Sequence, residues 1–481
     1  MKQPLLNAPR TFKGGVHPPD FKSFTEGNSI QMYMDPKMDL VFPMVQHIGA
    51  PCKPTVKKGD LVLRGQVIGE AQGYVSVPIH SSVSGKVKDV KPMLHTNGSK
   101  VLSVIIENDH QYNEVEGMHK AHDYKNMTKA EILDVIKNAG IVGMGGAGFP
   151  AHVKLNPPPD KKIDTIIVNG AECEPFLSSD FRLLIEEPKK VVEGLRIILH
   201  MFPEAEGFIA IEDNKPTALS LMSLLTTGEE RIHVATLKTK YPQGGEKQLI
   251  EAITGREVPS GGLPADAGCI VHNADTVVAI YRAMIEGRPL MRRIVTIAGG
   301  AVAKACTFKV RIGTNVQELV EAAGGVVGTP SKIICGGPMM GMAQVSLDIP
   351  VLKGTSGILL FNEEQDFMGD ETACIRCGKC VGACPIHLMP LMLNRFALDR
   401  DWASFEKYHG MDCIECGSCA FVCPAKRHLT QTFKAGKKII ADERRKKAAA
   451  AKAAADAKAA AEAVPAPAKA EDKAGAAPAG K

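Results

Sequence analysis

The sequence is poor in aromatic residues and in long apolar runs. Only 5% of its 481 residues are aromatic, and the net charge is a small +5. No stretch approaches the roughly 18 consecutive apolar residues that a membrane-spanning helix needs, and residues 1–21 lack the apolar core of a secretory signal. The few aromatic residues and the small net charge argue against a nucleic-acid-binding protein. The lack of a spanning segment and of a signal sequence predicts a cytoplasmic chain that meets a membrane only through partners.

Cysteine, by contrast, is abundant, with thirteen in the chain. In a reducing compartment this number indicates metal or redox chemistry rather than a disulfide framework. Eight cysteines fall within Cys374–Cys423, in two runs of identical spacing. The other five are scattered, and we expect them to be small buried residues: Cys52, Cys173, Cys269, Cys306 and Cys335.

Both runs have the pattern C-x₂-C-x₂-C-x₃-C-P of a two-cluster ferredoxin. In this pattern three thiolates of a run bind one [4Fe–4S] cluster, and the fourth binds the other cluster. Two zinc sites would leave the third cysteine of each run unused. The spacing therefore predicts two clusters with interleaved ligands. Cluster 1 is assigned to Cys374, Cys377, Cys380 and Cys423, and cluster 2 to Cys384, Cys413, Cys416 and Cys419.

Changes in the pattern of apolar and turn residues along the chain suggest five regions after an N-terminal extension at 1–35. Residues 36–112 alternate apolar runs with turn signals, which predicts a β barrel-sandwich hybrid. This region resembles biotinyl and lipoyl carrier domains, but 71–74, at the expected hairpin tip, contain no lysine. Residues 125–290 alternate predicted helices with predicted strands, which indicates an α/β domain, and 292–350 suggest a small α+β module. Residues 366–435 carry the cysteines, and the Ala/Lys-rich tail at 444–481 is expected to begin helical and end disordered.

A glycine-rich loop, Gly143–Gly148, follows a predicted helix in the α/β region. That helix has Thr128 as N-cap, Glu131 as its capping-box partner and Gly140 as its stop. The loop contains a formal G-x-G-x-x-G. However, a helix rather than a strand precedes it, and Pro150 prevents a long helix after it, so the context is not that of a Rossmann site. The loop is then either a packing turn or a run of backbone N–H groups able to bind a phosphate.

Four motifs in the α/β region resemble the FMN- and NADH-binding module of the flavoprotein subunit of respiratory complex I: GMGGAGFPAHVKL, VNGAECEP, YPQGGEKQ and VHNADT. With the N-terminal GGVHPPDFK, the carrier-like region and the cysteine runs, residues 11–440 resemble the RnfC family (also called RsxC) of Rnf-type ion-translocating oxidoreductases. The resemblance implies a complex I flavoprotein-like domain at 125–290, an SLBB-like β-grasp module at 292–350 and a helical ferredoxin-type domain at 366–435.

The resemblance also implies the residues of a flavin and nucleotide site. The FMN phosphate would meet Gly143, Gly145, Gly146 and Gly148, with Lys154 nearby. Other flavin contacts would be Asn169, Glu172, Asn273 and Thr276, and the nicotinamide nucleotide would meet Phe149 and Glu174. Three residues differ from the complex I pattern: Met144, Gly245 and His272.

The function implied by the resemblance is electron transfer in a membrane-bound Rnf/Rsx translocase complex. The chain would be a peripheral subunit on the cytoplasmic face of the inner membrane, carrying non-covalent FMN and two [4Fe–4S] clusters. It would pass electrons between NAD(H) and a ferredoxin-type carrier, while other membrane and Fe–S subunits move the ion. No side chain of its own is expected to act as a catalytic acid, base or nucleophile. Two alternatives stay open: a wiring and docking subunit that only relays electrons, and a subunit of a soluble NAD-dependent hydrogenase or formate dehydrogenase.

Overall fold

A computed structural model describes residues 9–365 and 369–462, together with Gly475 and Gly480. Within these ranges no helix combines the length and apolarity required to cross a membrane. The chain forms an extended N-terminal segment and four modules in the predicted order. The N-terminal segment contains one short strand, β1 (Gln31–Tyr33).

The first module is a barrel-sandwich of two small antiparallel sheets. Its strands are β2 (Leu40–Pro43), β3 (Lys53–Pro54), β4 (Leu61–Val62), β5 (Val67–Glu70), β6 (Ile79–His80), β7 (Gly85–Leu94) and β8 (Lys100–Asn108). One sheet has the order β2-β8-β7-β4 and the other β3-β5-β6. Alternate residues of the strands, such as Leu40, Phe42 and Ile106, are fully buried, because successive side chains point to opposite faces of a strand.

The second module, called here the flavin module, is a four-stranded parallel sheet flanked by helices. Its elements are α1 (Lys129–Asn138), α2 (Ala151–Lys154), β9 (Thr165–Asn169), α3 (Ser179–Glu186), α4 (Pro188–His200), β10 (Glu206–Glu212), α5 (Pro216–Leu225), β11 (Ile232–Leu237), α6 (Glu246–Thr254), β12 (Cys269–Asn273) and α7 (Ala274–Ile285). The strand order is β11-β10-β9-β12. The predicted capping box of α1 is confirmed, with the Glu131 N–H donating to Thr128 Oγ1 at 3.3 Å and the Thr128 N–H to the Glu131 carboxylate at 2.7 Å.

The third module is a β-grasp fold that reaches beyond the expected range of 292–350. Its own elements are β13 (Arg292–Ala298), β14 (Cys306–Arg311), α8 (Val316–Ala322), β15 (Lys332–Cys335), β16 (Met342–Gln344) and β17 (Gly357–Phe361). The sheet has the order β1-β14-β13-β17-β15-β16. Strand β17 is buried along its whole length between β13 and β15. Strand β1, from the N-terminal extension, covers the free edge of β14, which would otherwise expose unpaired backbone groups.

The fourth module is the helical ferredoxin-type domain. Its helices are α9 (Lys379–Ala383), α10 (Pro390–Leu398), α11 (Trp402–Lys407), α12 (Ser418–Phe421) and α13 (Leu429–Glu462). Helix α13 continues through 444–462, where alanine, the strongest helix former, predominates. Apart from Gly475 and Gly480, the remaining tail residues, 463–481, lie outside the described part of the chain, as do 366–368.

The segment 10–33, called here the N-terminal strap, connects three of the modules. Backbone hydrogen bonds of 2.9 Å join Arg10 to the edge of β11. Farther along, Val16 and Tyr241 exchange two backbone hydrogen bonds of 2.7 and 2.8 Å, and the Gly15 N–H donates to the carbonyl of Ala383 in the ferredoxin-type domain at 3.0 Å. Strand β1 then joins the β-grasp sheet. The strap thus holds the flavin module, the ferredoxin-type domain and the β-grasp module together.

Candidate functional site

The eight clustered cysteines line two separate cavities in the ferredoxin-type domain. A cavity of about 500 Å³ is lined by Cys374, Cys377, Cys380 and Cys423. A second, of about 350 Å³, is lined by Cys384, Cys413, Cys416 and Cys419. The fourth cysteine of each run therefore lies in the cavity of the other run. In the described ranges no three Cys, His, Asp or Glu side chains close on a point that could hold a single ion.

The two cysteine runs have the same backbone conformation. Gly378 and Gly417, at equivalent positions, have φ of +76° and +83° and cap the short helices α9 and α12. Arg376 and Glu415, also equivalent, have φ of +56° and +58°. This left-handed geometry turns each run around its cavity, and glycine adopts it without steric cost.

The two cavities differ in their exposure to solvent. Cys374 and Cys377, at the larger cavity, are exposed, and Ile375 between them is 67% exposed. At the smaller cavity, Cys384 and Cys416 are only 6% and 7% exposed. The site predicted for cluster 1 is therefore at the surface, and the site predicted for cluster 2 is inside the molecule.

The inner cavity faces the flavin module. The Tyr241 hydroxyl donates to the Cys416 carbonyl at 2.7 Å, and Gln248 Nε2 donates to the Pro385 carbonyl at 3.2 Å. Tyr241 is only 1% exposed and belongs to an apolar junction that also contains Cys416. The flavin module therefore packs directly against the residues that line the inner cavity.

The glycine-rich loop lies at the carboxyl end of the parallel sheet, where ligands of α/β folds bind. Its Met144 N–H donates to Thr276 Oγ1 at 2.8 Å, and the Gly143 N–H donates to the Phe149 carbonyl at 2.8 Å, which closes the loop. Gly145 has φ of +75°, and a Cβ there would lie 2.9 Å from Asn273 Nδ2. A Cβ on Gly146 would meet open space. The backbone at 145–147 is exposed, so the loop forms an open cradle that fits a phosphate.

The end of strand β12 brings further predicted residues to this cradle. Asn273 is in register with Asn169 of β9, and Asn169 Nδ2 donates to the Gly244 carbonyl at 2.9 Å. Lys154 forms an ion pair with Glu246 and donates to the Val271 carbonyl at 2.7 Å. Its charge therefore already has a partner beside the cradle.

His272 is a buried histidine next to Asn273. Burial, and then the Lys154 cation, lower the pKa of His272 well below its usual value, so the ring is neutral. Neither ring nitrogen has a hydrogen-bond partner among the described residues. A buried polar ring without a partner is costly, and here it lies beside the residues predicted to hold the flavin.

Glu172 and Glu174 are engaged with other parts of the protein. The Glu172 carboxylate accepts from the N–H groups of Asp180 and Phe181 at 2.9 and 3.2 Å, at the N-terminus of α3. The Glu174 carboxylate accepts from the N–H groups of Met339 and Met340 at 3.0 and 2.9 Å. Burial raises the pKa of Glu174 to about 7. The structure therefore places Glu174 against the loop at 336–342 of the β-grasp module.

The sequence analysis missed several buried polar residues around the cradle. Asn273 Nδ2 donates to Asp180 Oδ2 at 2.6 Å. Burial, with the nearby charges of Glu172 and Asp275, raises the pKa of Asp180 to about 7. Asp275 forms a buried ion pair with Arg293, which lies directly beneath Met144. Arg293 and Asp275 become neighbours only in the folded chain, so no local motif reveals the pair.

Four family models match the chain in succession. They are the RnfC barrel sandwich hybrid domain at residues 10–111, the Nuo51 FMN-binding domain at 136–282, the SLBB domain at 294–343 and a 4Fe-4S dicluster domain at 373–428. They confirm the expected fold class of barrel-sandwich, flavoprotein-like, β-grasp and two-cluster ferredoxin modules.

Several relatives match over nearly the whole chain. The C subunit of the Na(+)-translocating ferredoxin:NAD(+) oxidoreductase complex of Acetobacterium woodii is 48% identical, over 91% of this chain and 98% of its own length. The C subunit of the proton-translocating ferredoxin:NAD(+) oxidoreductase complex of Clostridium ljungdahlii is 49% identical, over 88% and 92%. The C subunit of the ion-translocating oxidoreductase complex of Pseudomonas aeruginosa is 39% identical, over 92% of this chain and 57% of that longer protein.

Proposed function

Because this chain belongs to the RnfC family, the C subunits of ion-translocating oxidoreductase complexes, we propose that it carries electrons between NAD(H) and a ferredoxin-type carrier within such a complex. The observation that supports this most is the combination of an FMN-binding domain and a 4Fe-4S dicluster domain in one chain. Its partners are the other subunits of the complex. Two of the relatives named above belong to ferredoxin:NAD(+) oxidoreductases, which disfavours a hydrogenase or formate dehydrogenase subunit.

The cofactors are FMN and two [4Fe–4S] clusters, and the residues present fit both. The glycine cradle at 143–148 offers exposed backbone and open space at Gly146, and four thiols line each cysteine cavity. When bound, the flavin exchanges a hydride with the nicotinamide nucleotide and single electrons with the clusters. The protein supplies the binding sites and their order.

We infer an order of the two clusters along the electron path that differs from the order of the cysteine runs. The inner cavity, containing Cys384 and the first three cysteines of the second run, is packed against the flavin module. The outer cavity is at the surface. Cluster 2 would then be the one nearer the flavin module, and cluster 1, beside the exposed Ile375, would be the one nearer the surface at which a partner could exchange electrons.

We place the chain at the cytoplasmic face of the inner membrane, bound through the membrane subunits of its complex. This placement depends on the complex to which the relatives belong. A membrane fraction that contains the chain only when the other subunits are co-expressed would support it. A chain that binds vesicles by itself would contradict it.

The flavin part of the proposal is tested by Gly146→Glu. The new side chain enters open space, so the fold should tolerate it, while its carboxylate repels a phosphate from the cradle. Anaerobically purified protein should contain FMN that NADH bleaches, and the variant should bind FMN at least about tenfold more weakly. Gly354→Glu, at another open position, is the matched control and should keep its flavin. Wild-type protein without flavin would favour the alternative of a subunit that only relays electrons.

The ligand sets of the clusters are tested by single Cys→Ser variants. Cys384 belongs to the first run but lies in the cavity of the second. The EPR spectrum of Cys384→Ser should therefore match that of Cys416→Ser, and that of Cys423→Ser should match that of Cys377→Ser. Each variant should retain about half of the iron. A Cys384→Ser spectrum that matches Cys377→Ser would overturn the assignment.

A further inference from the structure

The turn between β11 and α6 contacts both the carboxyl end of the parallel sheet and the backbone beside the inner cavity. Tyr241, in this turn, is almost completely buried and lies at the junction with the ferredoxin-type domain. Gly244, in the same turn, accepts from Asn169 Nδ2 at 2.9 Å at the carboxyl end of the parallel sheet. Gln248, in the first turn of α6, is 1% exposed. The segment 241–248, called here the bridging turn, therefore runs from the flavin module to the inner cavity.

Two of the three buried polar side chains of the bridging turn, Tyr241 and Gln248, donate to backbone carbonyls beside predicted ligands of cluster 2. The Tyr241 hydroxyl reaches the carbonyl of Cys416 itself, at 2.7 Å. Gln248 Nε2 reaches the carbonyl of Pro385, the residue after Cys384, at 3.2 Å. These two bonds cross from the flavin module to both cysteine runs.

From this geometry we propose that Tyr241 and Gln248 are positioning residues for cluster 2, which hold its ligands against the flavin module and raise its reduction potential. The proposal rests on the proposed function, and in particular on the ligand set of cluster 2. The Tyr241 O–H dipole points its positive end at the carbonyl of the ligand Cys416, and the Gln248 N–H dipole points its positive end at the carbonyl of Pro385, next to the ligand Cys384. Reduction adds negative charge to a cluster, so donor dipoles beside its ligands stabilise the reduced form.

The test is an EPR-monitored redox titration of the anaerobically purified chain with both clusters in place. A chemical reductant sets the potential, so the result does not depend on NADH or flavin binding. Cys377→Ser, which lacks cluster 1, supplies the reference spectrum of cluster 2. In Tyr241→Phe the ratio of reduced to oxidised cluster 2 at a fixed potential should fall about two- to tenfold, as expected for one lost hydrogen bond. The titration of cluster 1 should stay unchanged and reports that the domain is folded.

Two further variants make the test specific. Gln248→Met removes the second donor without touching Tyr241 and should lower the same ratio for cluster 2 alone. Tyr408→Phe makes the same chemical change in the ferredoxin-type domain at a residue 41% exposed, and should change neither cluster.

The outcomes separate this proposal from the ones above. Unchanged potentials in Tyr241→Phe, or equal shifts of both clusters, would overturn the positioning role. If Tyr241→Phe fails to assemble its clusters, Gln248→Met decides: a selective downward shift supports the role and no shift overturns it. A Cys384→Ser protein that keeps the cluster 2 spectrum would instead refute the ligand assignment.

Discussion

Replacing Arg293 by methionine should destabilise the flavin module severely. Arg293 is 2% exposed, and its guanidinium forms an ion pair with Asp275, which is 3% exposed. The same group donates to the Thr355 carbonyl at 3.1 Å and meets the Met144 sulfur at 2.8 Å. Methionine preserves much of the side-chain volume but leaves the Asp275 carboxylate buried without its cation.

The expected cost follows from the burial of this pair. Removing one partner of a buried ion pair costs about 3–5 kcal/mol, because the remaining charge loses both its partner and its water. Asp180 adds to this cost. The charge of Asp275 raises the pKa of Asp180, and the charge of Arg293 lowers it, so the loss of Arg293 removes a cation that both carboxylates share. A whole domain is stable by only about 5–15 kcal/mol, so the loss is large.

Urea unfolding followed by circular dichroism and by flavin fluorescence measures this loss. The single tryptophan, Trp402, is in the ferredoxin-type domain, so its emission reports that domain separately and should change little. The double variant Arg293→Met/Asp275→Leu replaces both charges by apolar groups and should recover most of the lost stability. A cost below about 1 kcal/mol for the single variant, or a double variant no better than the single one, would refute this reasoning.

Two other predictions concern pH and packing. Burial raises the pKa of Glu212, which is 3% exposed, to about 7. The folded state therefore keeps a proton that the unfolded chain releases near pH 4.5. The free energy of unfolding falls as the pH rises from about 4.5 to 7, because the unfolded chain can ionise this group and the folded state cannot. Glu212→Gln should remove this penalty. In urea unfolding, the free energy of unfolding of the variant should equal that of the wild type near pH 4 and exceed it by about 3 kcal/mol above pH 7. A difference that does not change with pH would contradict the burial argument. Gly337→Ala would place a Cβ 2.2 Å from the Glu174 carboxylate and should lower stability by about 1–3 kcal/mol, whereas Gly354→Ala, in open space, should be neutral; equal melting temperatures of the two variants would refute the close contact.

Local sequence signals predicted local structure well. The capping box at Thr128 and Glu131 needs only residues within one turn, and the structure contains it. The cysteine spacing likewise predicts which thiols share a cavity, because three thiols of each run surround one cavity and the fourth reaches the cavity of the other run. The depth of the two cavities could not be predicted in this way. It arises from the packing of modules that are distant in sequence, which brings Tyr241 and Gln248 against backbone carbonyls beside the cysteines.

The extent of the β-grasp sheet was missed for a related reason. Strand β1 has only three residues, of which none is fully buried, so it lacks an alternating pattern of its own. Its strand conformation comes from pairing with β14, far along the chain. The contacts of Glu174 could not be predicted for the same reason. Its partners Met339 and Met340 belong to the β-grasp module, far in sequence from the motif VNGAECEP that contains Glu174.

The N-terminal strap has a consequence for how the protein is made. Gln31 pairs with Phe308 and Tyr33 with Val310, so the strap leaves the ribosome long before the strand that receives it. At about 5–20 residues per second the wait is roughly 15–55 s. During that time β1 has no sheet to join, and the contact of Gly15 with Ala383 forms later still. The strap is thus synthesised well before the modules that it joins and is among the last segments to find its place. A chain interrupted before β14 would leave the strap unpaired and open to chaperones or proteases.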